Sequence, residues 1–481
     1  MKRFLVPLCV AFALTSAGCR TAGDRQAEIE ALVEAGRFAE AEAEMDADAS
    51  SAREIPARTA DSLREIMRRI RIEFPYDRSQ IVRTIRRTFS DTVSDERIER
   101  WSRSGELERR IIDGEERYFV RAAGNLPRLS DEMKAFRPSD SAEERMKKDD
   151  AARAIALSDG MGACCDPLGM TIRYTLRVEP NAVPEGDTVR CWLPYPRRDL
   201  ARVRDVELLG TSPAKHIVAP ADAPHSSVYM ERTAVRDSAT VFTLAYRLTT
   251  LSQYFDPQRL SDSLRPYDTA SDLYKTYTAQ RPPHIVFGPR LADKARELAG
   301  DETDPLRITA RIYDWIDAEF PWAGAIEYGV LPCIPEYVLD AGHGDCGQVT
   351  LLLIAMLRSV GIPAGWESGW IVENGRAGLH DWGKVYYEGV GWVPVDMSYG
   401  TIATGETEAV RTFYRTGLEN HRLPVNSDYG RAFYPAKRHM RSEPVDFQRG
   451  EAETSRRNLY FDEWSYAMEV LYDEPRQTDE R

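Results

Sequence analysis

The 481-residue chain lacks a basic excess: 64 Lys and Arg stand against 77 Asp and Glu, for a formal net charge of −13. A nucleic-acid partner needs cations to neutralise phosphates, so this balance excludes one and predicts an acidic, solvated surface. Long hydrophobic runs are missing too. Phe4 to Ala17 is apolar but too short to span a bilayer as a mature helix, and no later segment is long and apolar enough. Cysteine is sparse, with seven in the chain, and Cys164-Cys165 has no second pair at ligand spacing. No metal site is therefore expected, and no cofactor.

What is present begins with a leader. Lys2 and Arg3 precede the apolar stretch, and Ser16-Ala17-Gly18 puts small residues before Cys19, the pattern of an export signal over 1–18. The leader resembles a bacterial lipoprotein signal, which implies Cys19 as the lipidated first residue of the mature protein. That places a body tethered by acyl chains in the cell envelope, on the periplasmic or cell-surface side. Cys164, Cys165, Cys191 and Cys333 allow three disulfide pairings, and the adjacent pair is awkward to bridge to itself.

The chemistry concentrates at Gly342-His343-Gly344-Asp345-Cys346-Gly347-Gln348, a glycine-rich turn that delivers a cysteine to the start of a helix. Val349, Leu352, Leu353, Met356, Leu357 and Val360 recur at helical spacing, which predicts one buried apolar face, and Gly361 with Pro363 stops the helix. A thiol at that end meets unpaired backbone N–H groups and the positive end of the helix dipole, both of which favour the thiolate. Downstream, His380 heads an alternating run to Tyr387, and Asp396 closes Gly391-Trp392-Val393-Pro394-Val395-Asp396. A reversal at Glu388 to Gly391 brings His380 and Asp396 near each other on antiparallel strands, with the register left open and both able to face the helix start. A thiol attacking an amide needs a base, and the imidazole needs an acceptor that sets its tautomer. Cys346, His380 and Asp396 fill those catalytic roles.

These three stretches, over roughly Asp304 to Gly400, resemble the transglutaminase-like superfamily, a branch of the papain-like thiol enzymes. The resemblance implies the cysteine opening a helix, the histidine heading a strand and the aspartate ending the next one. Asp345 and His343 flank the cysteine as alternative bases, but turn neighbours rarely reach the geometry. The backbone N–H of Cys346 is placed for an oxyanion, and Tyr328 or Trp322 are candidate side-chain donors. Trp366, Trp370, Trp382 and Trp392 are candidates to wall an apolar groove. No residue is assigned to substrate binding.

The expected fold class is α+β: a papain/transglutaminase-like catalytic domain over 256–400, preceded by a helical N-terminal region over 19–165 and an antiparallel β-sandwich-like domain over 166–255. In the N-terminal region a helix pair turns at Gly36-Arg37, Ser94 caps a helix, and Asp113-Gly114 closes a hairpin. Pro138 to Asp150 is a solvated helix or linker. Period-two patterning from Met170 marks the sandwich. A C-terminal extension, 401–481, packs on the catalytic domain, with Leu459 to Val470 as one or two strands; there Arg422 or Arg449 either meets an acidic substrate group or forms a packing ion pair. The function expected is a peptidase- or amidase-type hydrolase acting on proteins, peptides or glycopeptides through an acyl-enzyme. A transglutaminase passing the acyl group to an amine and a non-catalytic binding lipoprotein are the alternatives.

Overall fold

The structure, a computed structural model, describes residues 22–48, 55–137 and 141–473. The expected leader over 1–18 and the lipidation site Cys19 lie outside the described residues. The chain forms two compact units, one ending at Ile81 and rejoined by Arg109–Val120, the other made of Val82–Glu108 and the chain from Arg121 onward.

In the first unit, helices Ala22–Glu34 and Phe38–Asp48 bury Ile29, Val33, Phe38, Ala41 and Met45. The turn between them holds Gly36 at φ 73°, where an added Cβ would stand 2.0 Å from the Ile111 carbonyl oxygen, so only glycine fits. Strands β1 (Arg109–Ile112) and β2 (Glu115–Tyr118) pair around Asp113-Gly114. Both turn residues have positive φ, 51° and 82°, as a tight two-residue hairpin requires.

The second unit holds the rest. Helix Asp95–Ser104 starts at Ser94, whose side chain accepts from Arg97 N–H, as the capping pattern predicts. The described part of the expected linker is helical, within Ser141–Leu157. Two five-stranded antiparallel sheets follow. One runs β12 (Gly417–Leu418), β8 (Thr240–Tyr254), β3 (Cys165–Val178), β16 (Trp464–Tyr472), with β5 (Val203–Ser212) also on β8. The other runs β15 (Asn458–Leu459), β14 (Glu451–Glu453), β4 (Thr188–Pro194), β7 (Ser227–Thr233), β6 (His216–Val218). Along β3, Met170, Ile172, Tyr174, Leu176 and Val178 are buried while their neighbours are not, the period of two read from the sequence.

The segment after residue 400 departs from expectation. Instead of only packing on the catalytic domain, it completes both sandwich sheets: β16 pairs with β3 from Trp464↔Val178 to Tyr472↔Met170, and β14 pairs with β4. The sheet edges at β3 and β4 would otherwise present unpaired N–H and C=O groups, and strands distant in sequence satisfy them.

The four-stranded sheet that carries the site is ordered β11 (Gly391–Val395), β10 (Arg376–Tyr387), β9 (Ala364–Glu373), β13 (Arg422–Asn426), all antiparallel. The chain reverses between β10 and β11 where expected, and the register sets Gly383 opposite Val395. Helix Pro305–Glu319 begins at Asp304, which caps Leu306 and Arg307 N–H. It packs in one core with helices Pro289–Ala299, Ile334–Ala341 and Cys346–Ser359. The last of these is buried from Gly347 through Arg358. One buried face was expected; the helix is enclosed on all sides because helices and sheet surround it.

Candidate active site

The Cys346 helix is started by a capping box. The Asp345 carboxylate accepts the Gln348 N–H at 3.1 Å, and the Gln348 side chain accepts the Asp345 N–H at 3.2 Å. This anchors the partly exposed Cys346 at the first helical position. Its sulfur donates to Asp381 Oδ2 at 3.5 Å, and no hydrogen bond joins it to His380 among the described residues. Tyr328 Oη lies 2.6 Å from Asp345 Oδ1 and 3.2 Å from Asp381 Oδ2. One phenolic hydrogen serves only one of the two carboxyls at a time. Burial, with Asp345 beside it, pushes the Asp381 carboxyl well up, and burial pushes Asp345 up to about 6 against its bonds to Tyr328 and Gln348. Asp381 Oδ1 accepts from Gln448 Nε2 at 2.9 Å. Gly347 is obligatory here: an added Cβ would stand 2.2 Å from Tyr328 Oη and 2.5 Å from Asp381 Oδ2.

Burial, then the charges of Asp381 and Asp345, pushes the Cys346 thiol well above its usual range. The sequence argument for a thiolate, from the helix end alone, is corrected: the helix field acts within one turn, but two carboxyl groups and low solvation oppose it.

His380 and Asp381 are neighbours on β10, and successive strand residues point to opposite faces. His380 Nε2 lies 2.7 Å from Asp396 Oδ2. Its ring stacks on Trp382 and meets Tyr399 edge-on. Asp396 also accepts from Ser398 N–H at 3.0 Å and pairs with Arg422 Nη2 at 2.9 Å. Burial opposes the Asp396 charge, but His380 and Arg422 outweigh it and hold the carboxyl well below the usual range. Burial, more than Asp396 can offset, lowers the His380 imidazole. A neutral ring beside a carboxylate must carry its proton on Nε2, which leaves the Nδ1 lone pair without a hydrogen-bond partner among the described residues.

Of the three residues expected from the sequence, the structure brings His380 and Asp396 together and sets Cys346 on Asp381. Arg422 is not exposed to substrate: fully buried, it joins Asp396 to Glu419 and lies over Tyr399. Arg449 is likewise committed, with Nη1 and Nη2 at 2.7 and 2.8 Å from the two Glu327 oxygens. His343 is buried, and burial lowers it to about 4. Trp366, Trp370 and Trp382 are core residues rather than groove walls, and Trp392 packs edge-on against Tyr277. Cys164, Cys165, Cys191 and Cys333 are free thiols. Asp381 and Tyr328's carboxylate-bridging role were missed. The signal for Asp381 was the period of the strand, since a polar residue beside His380 must face the other way.

Cys346 opens onto a pocket of about 170 Å³ whose lining includes Trp322, Ile326, Tyr328, Leu379, Asp381 and Arg449. Trp322 and Leu379 are 44 % and 36 % exposed, so the mouth has apolar walls.

With this geometry in hand, residues 292–397 match the family model of the transglutaminase-like superfamily, a window that holds Cys346, His380 and Asp396. The chain thus carries a transglutaminase-like domain within an α+β fold. Among solved structures, a candidate cysteine protease from Cytophaga hutchinsonii aligns at 14 % identity with a TM-score of 0.43, covering 65 % of this chain and 92 % of that one. The periplasmic domain of TgpA from Pseudomonas aeruginosa aligns at 15 % identity with a TM-score of 0.26, covering 52 % and 91 %. No curated protein matches the chain.

Proposed function

We propose that the protein is a cysteine-dependent hydrolase of amide bonds in proteins, peptides or glycopeptides. The observation that carries this reading is the buried His380–Asp396 pair, 2.7 Å apart, in the same family window as Cys346. In the reaction, the Cys346 sulfur leaves Asp381 and attacks the carbonyl carbon, and its proton reaches His380 Nδ1, on the other face of β10, once the thiol and the ring have moved together. The Cys346 N–H, in the first helical turn and so without an intrahelical acceptor, faces the developing oxyanion. The imidazolium, steadied by Asp396, returns the proton to the leaving amine, and water then opens the thioester. The leader and Cys19 support a location in the cell envelope on a lipid anchor.

A second reading, a binding protein on this scaffold, is favoured by the sulfur's contact with a carboxyl group and its raised pKa. Iodoacetamide labelling of the chain without residues 1–19, read by intact mass and peptide mapping, separates the two. The hydrolase predicts Cys346 labelling that slows at least tenfold in His380→Ala, followed by peptide cleavage; a stable mass gain with an added amine marks acyl transfer instead. Equal, sluggish labelling in both proteins rejects the enzyme.

A further inference from the structure

The lining of the pocket at Cys346 reaches beyond the family window, and one of its residues comes from far upstream. Arg121 precedes helix Ala122–Leu129 and lines the same pocket as the thiol. Its position is built. Asn125 Nδ2 donates to the Gly324 carbonyl at 3.0 Å and Asn125 Oδ1 accepts the Gly324 N–H at 2.9 Å, both buried. These bonds clamp the helix to the loop beside Trp322. Gly324 leaves the space that the arginine crosses: an added Cβ would lie 3.1 Å from Arg121 Cδ. The other pocket arginine, Arg449, is spent on Glu327 and Glu443. The Arg121 side chain is exposed and forms no ion pair or hydrogen bond among the described residues, while its carbonyl accepts from Asn125 N–H at 3.0 Å. Of the pocket's carboxyls, Glu327 is paired with Arg449, and burial raises Asp381 and Asp446 well above the usual range and Asp345 to about 6. The Arg121 guanidinium, with Asp345 within electrostatic reach but no carboxylate paired to it, therefore stands at a mouth walled by Trp322 and Leu379, free to take an anion in a charge-assisted bond.

We propose that Arg121 is a specificity-determining residue that selects acyl donors carrying a carboxylate close to the scissile amide. The proposal rests on Cys346 being the reactive group of this pocket. The carboxylate is supplied either by an acidic side chain or by a peptide C-terminus, and Arg121 takes it in a paired, charge-assisted hydrogen bond.

Two small reagents test this without requiring turnover. Iodoacetate carries a carboxylate and iodoacetamide its neutral amide, so the ratio of their alkylation rates at Cys346 reports charge recognition at whatever absolute rate the thiol reacts. The ratio should fall about five- to tenfold in Arg121→Gln, the range between an exposed ion pair and a charge-assisted bond, and should be largely kept in Arg121→Lys. An unchanged ratio in Arg121→Gln overturns the proposal. Loss of the His380 dependence of labelling would instead strike the hydrolase reading alone. Pentapeptides then identify the source of the carboxylate by protecting Cys346 from iodoacetamide. A central Glu is compared with Gln in an end-capped peptide, and a free C-terminus with an amidated one. Better protection by either acidic peptide supports the proposal and names the source; equal protection within both pairs refutes it.

Discussion

Replacing Asp381 by asparagine keeps the shape of the group that holds the sulfur but removes its charge. The Oδ1 acceptor for Gln448 survives, and the new amide still meets Tyr328 and Cys346. Two full unit charges at about 3.5 Å, the observed contact, repel by about 5 kcal/mol at an effective dielectric of 20. Asp381 does not carry a full charge, because burial and Asp345 push it toward the neutral form. Only part of that repulsion is then released; each ~1.4 kcal/mol of it raises the thiolate population at a given pH about tenfold. Iodoacetamide alkylation of Cys346 at pH 7, followed by peptide mapping, should accelerate by that order in Asp381→Asn. Circular dichroism controls for folding. An unchanged rate in a folded variant refutes the electrostatic account. A slower one shows that Asp381 itself takes the thiol proton, and His380 then loses its role as base.

Two further predictions concern the fold around the site. Gly347→Ala forces a Cβ onto Tyr328 Oη and Asp381 Oδ2, so it should cost about 1 to 3 kcal/mol by overpacking, and an unchanged Tm would show that the contact yields freely. His225 is buried, with Nδ1 on Asn426 Oδ1 and Nε2 accepting from Arg431 N–H and Arg441, so burial and then Arg441 hold its pKa well below the usual value. The unfolded chain takes up this proton below about pH 6.5 and the folded one does not. The His225 contribution is therefore complete above that pH and declines as pH falls, by at most about 1.4 kcal/mol per unit. Its ring resonances should remain those of a neutral imidazole at pH 5.5, and titration near 6.5 would contradict the burial argument.

Local chemistry made much of this protein legible before any coordinates. Helix starts at Ser94 and Asp304 follow from side chains bonding the next few N–H groups, and the Asp113-Gly114 hairpin from the two positive φ angles it demands. The alternation along β3 and the reversal between β10 and β11 are equally local, as is the order of Cys346, His380 and Asp396 that marks the transglutaminase-like domain. Which distant strands complete a sheet is not local. β16 and β14 join the sandwich because edges separated by hundreds of residues need partners, and nothing in Trp464 to Tyr472 names β3 as its own. Electrostatics is non-local for the same reason. Cys346 at a helix start promises a thiolate until Asp381 and Asp345 are folded against it, and Arg422 looks like a surface cation until Asp396 and Glu419 enclose it. Residue types and spacing determined which groups this protein can use; the tertiary structure alone decided which of them touch, because charge and desolvation act through space rather than along the chain.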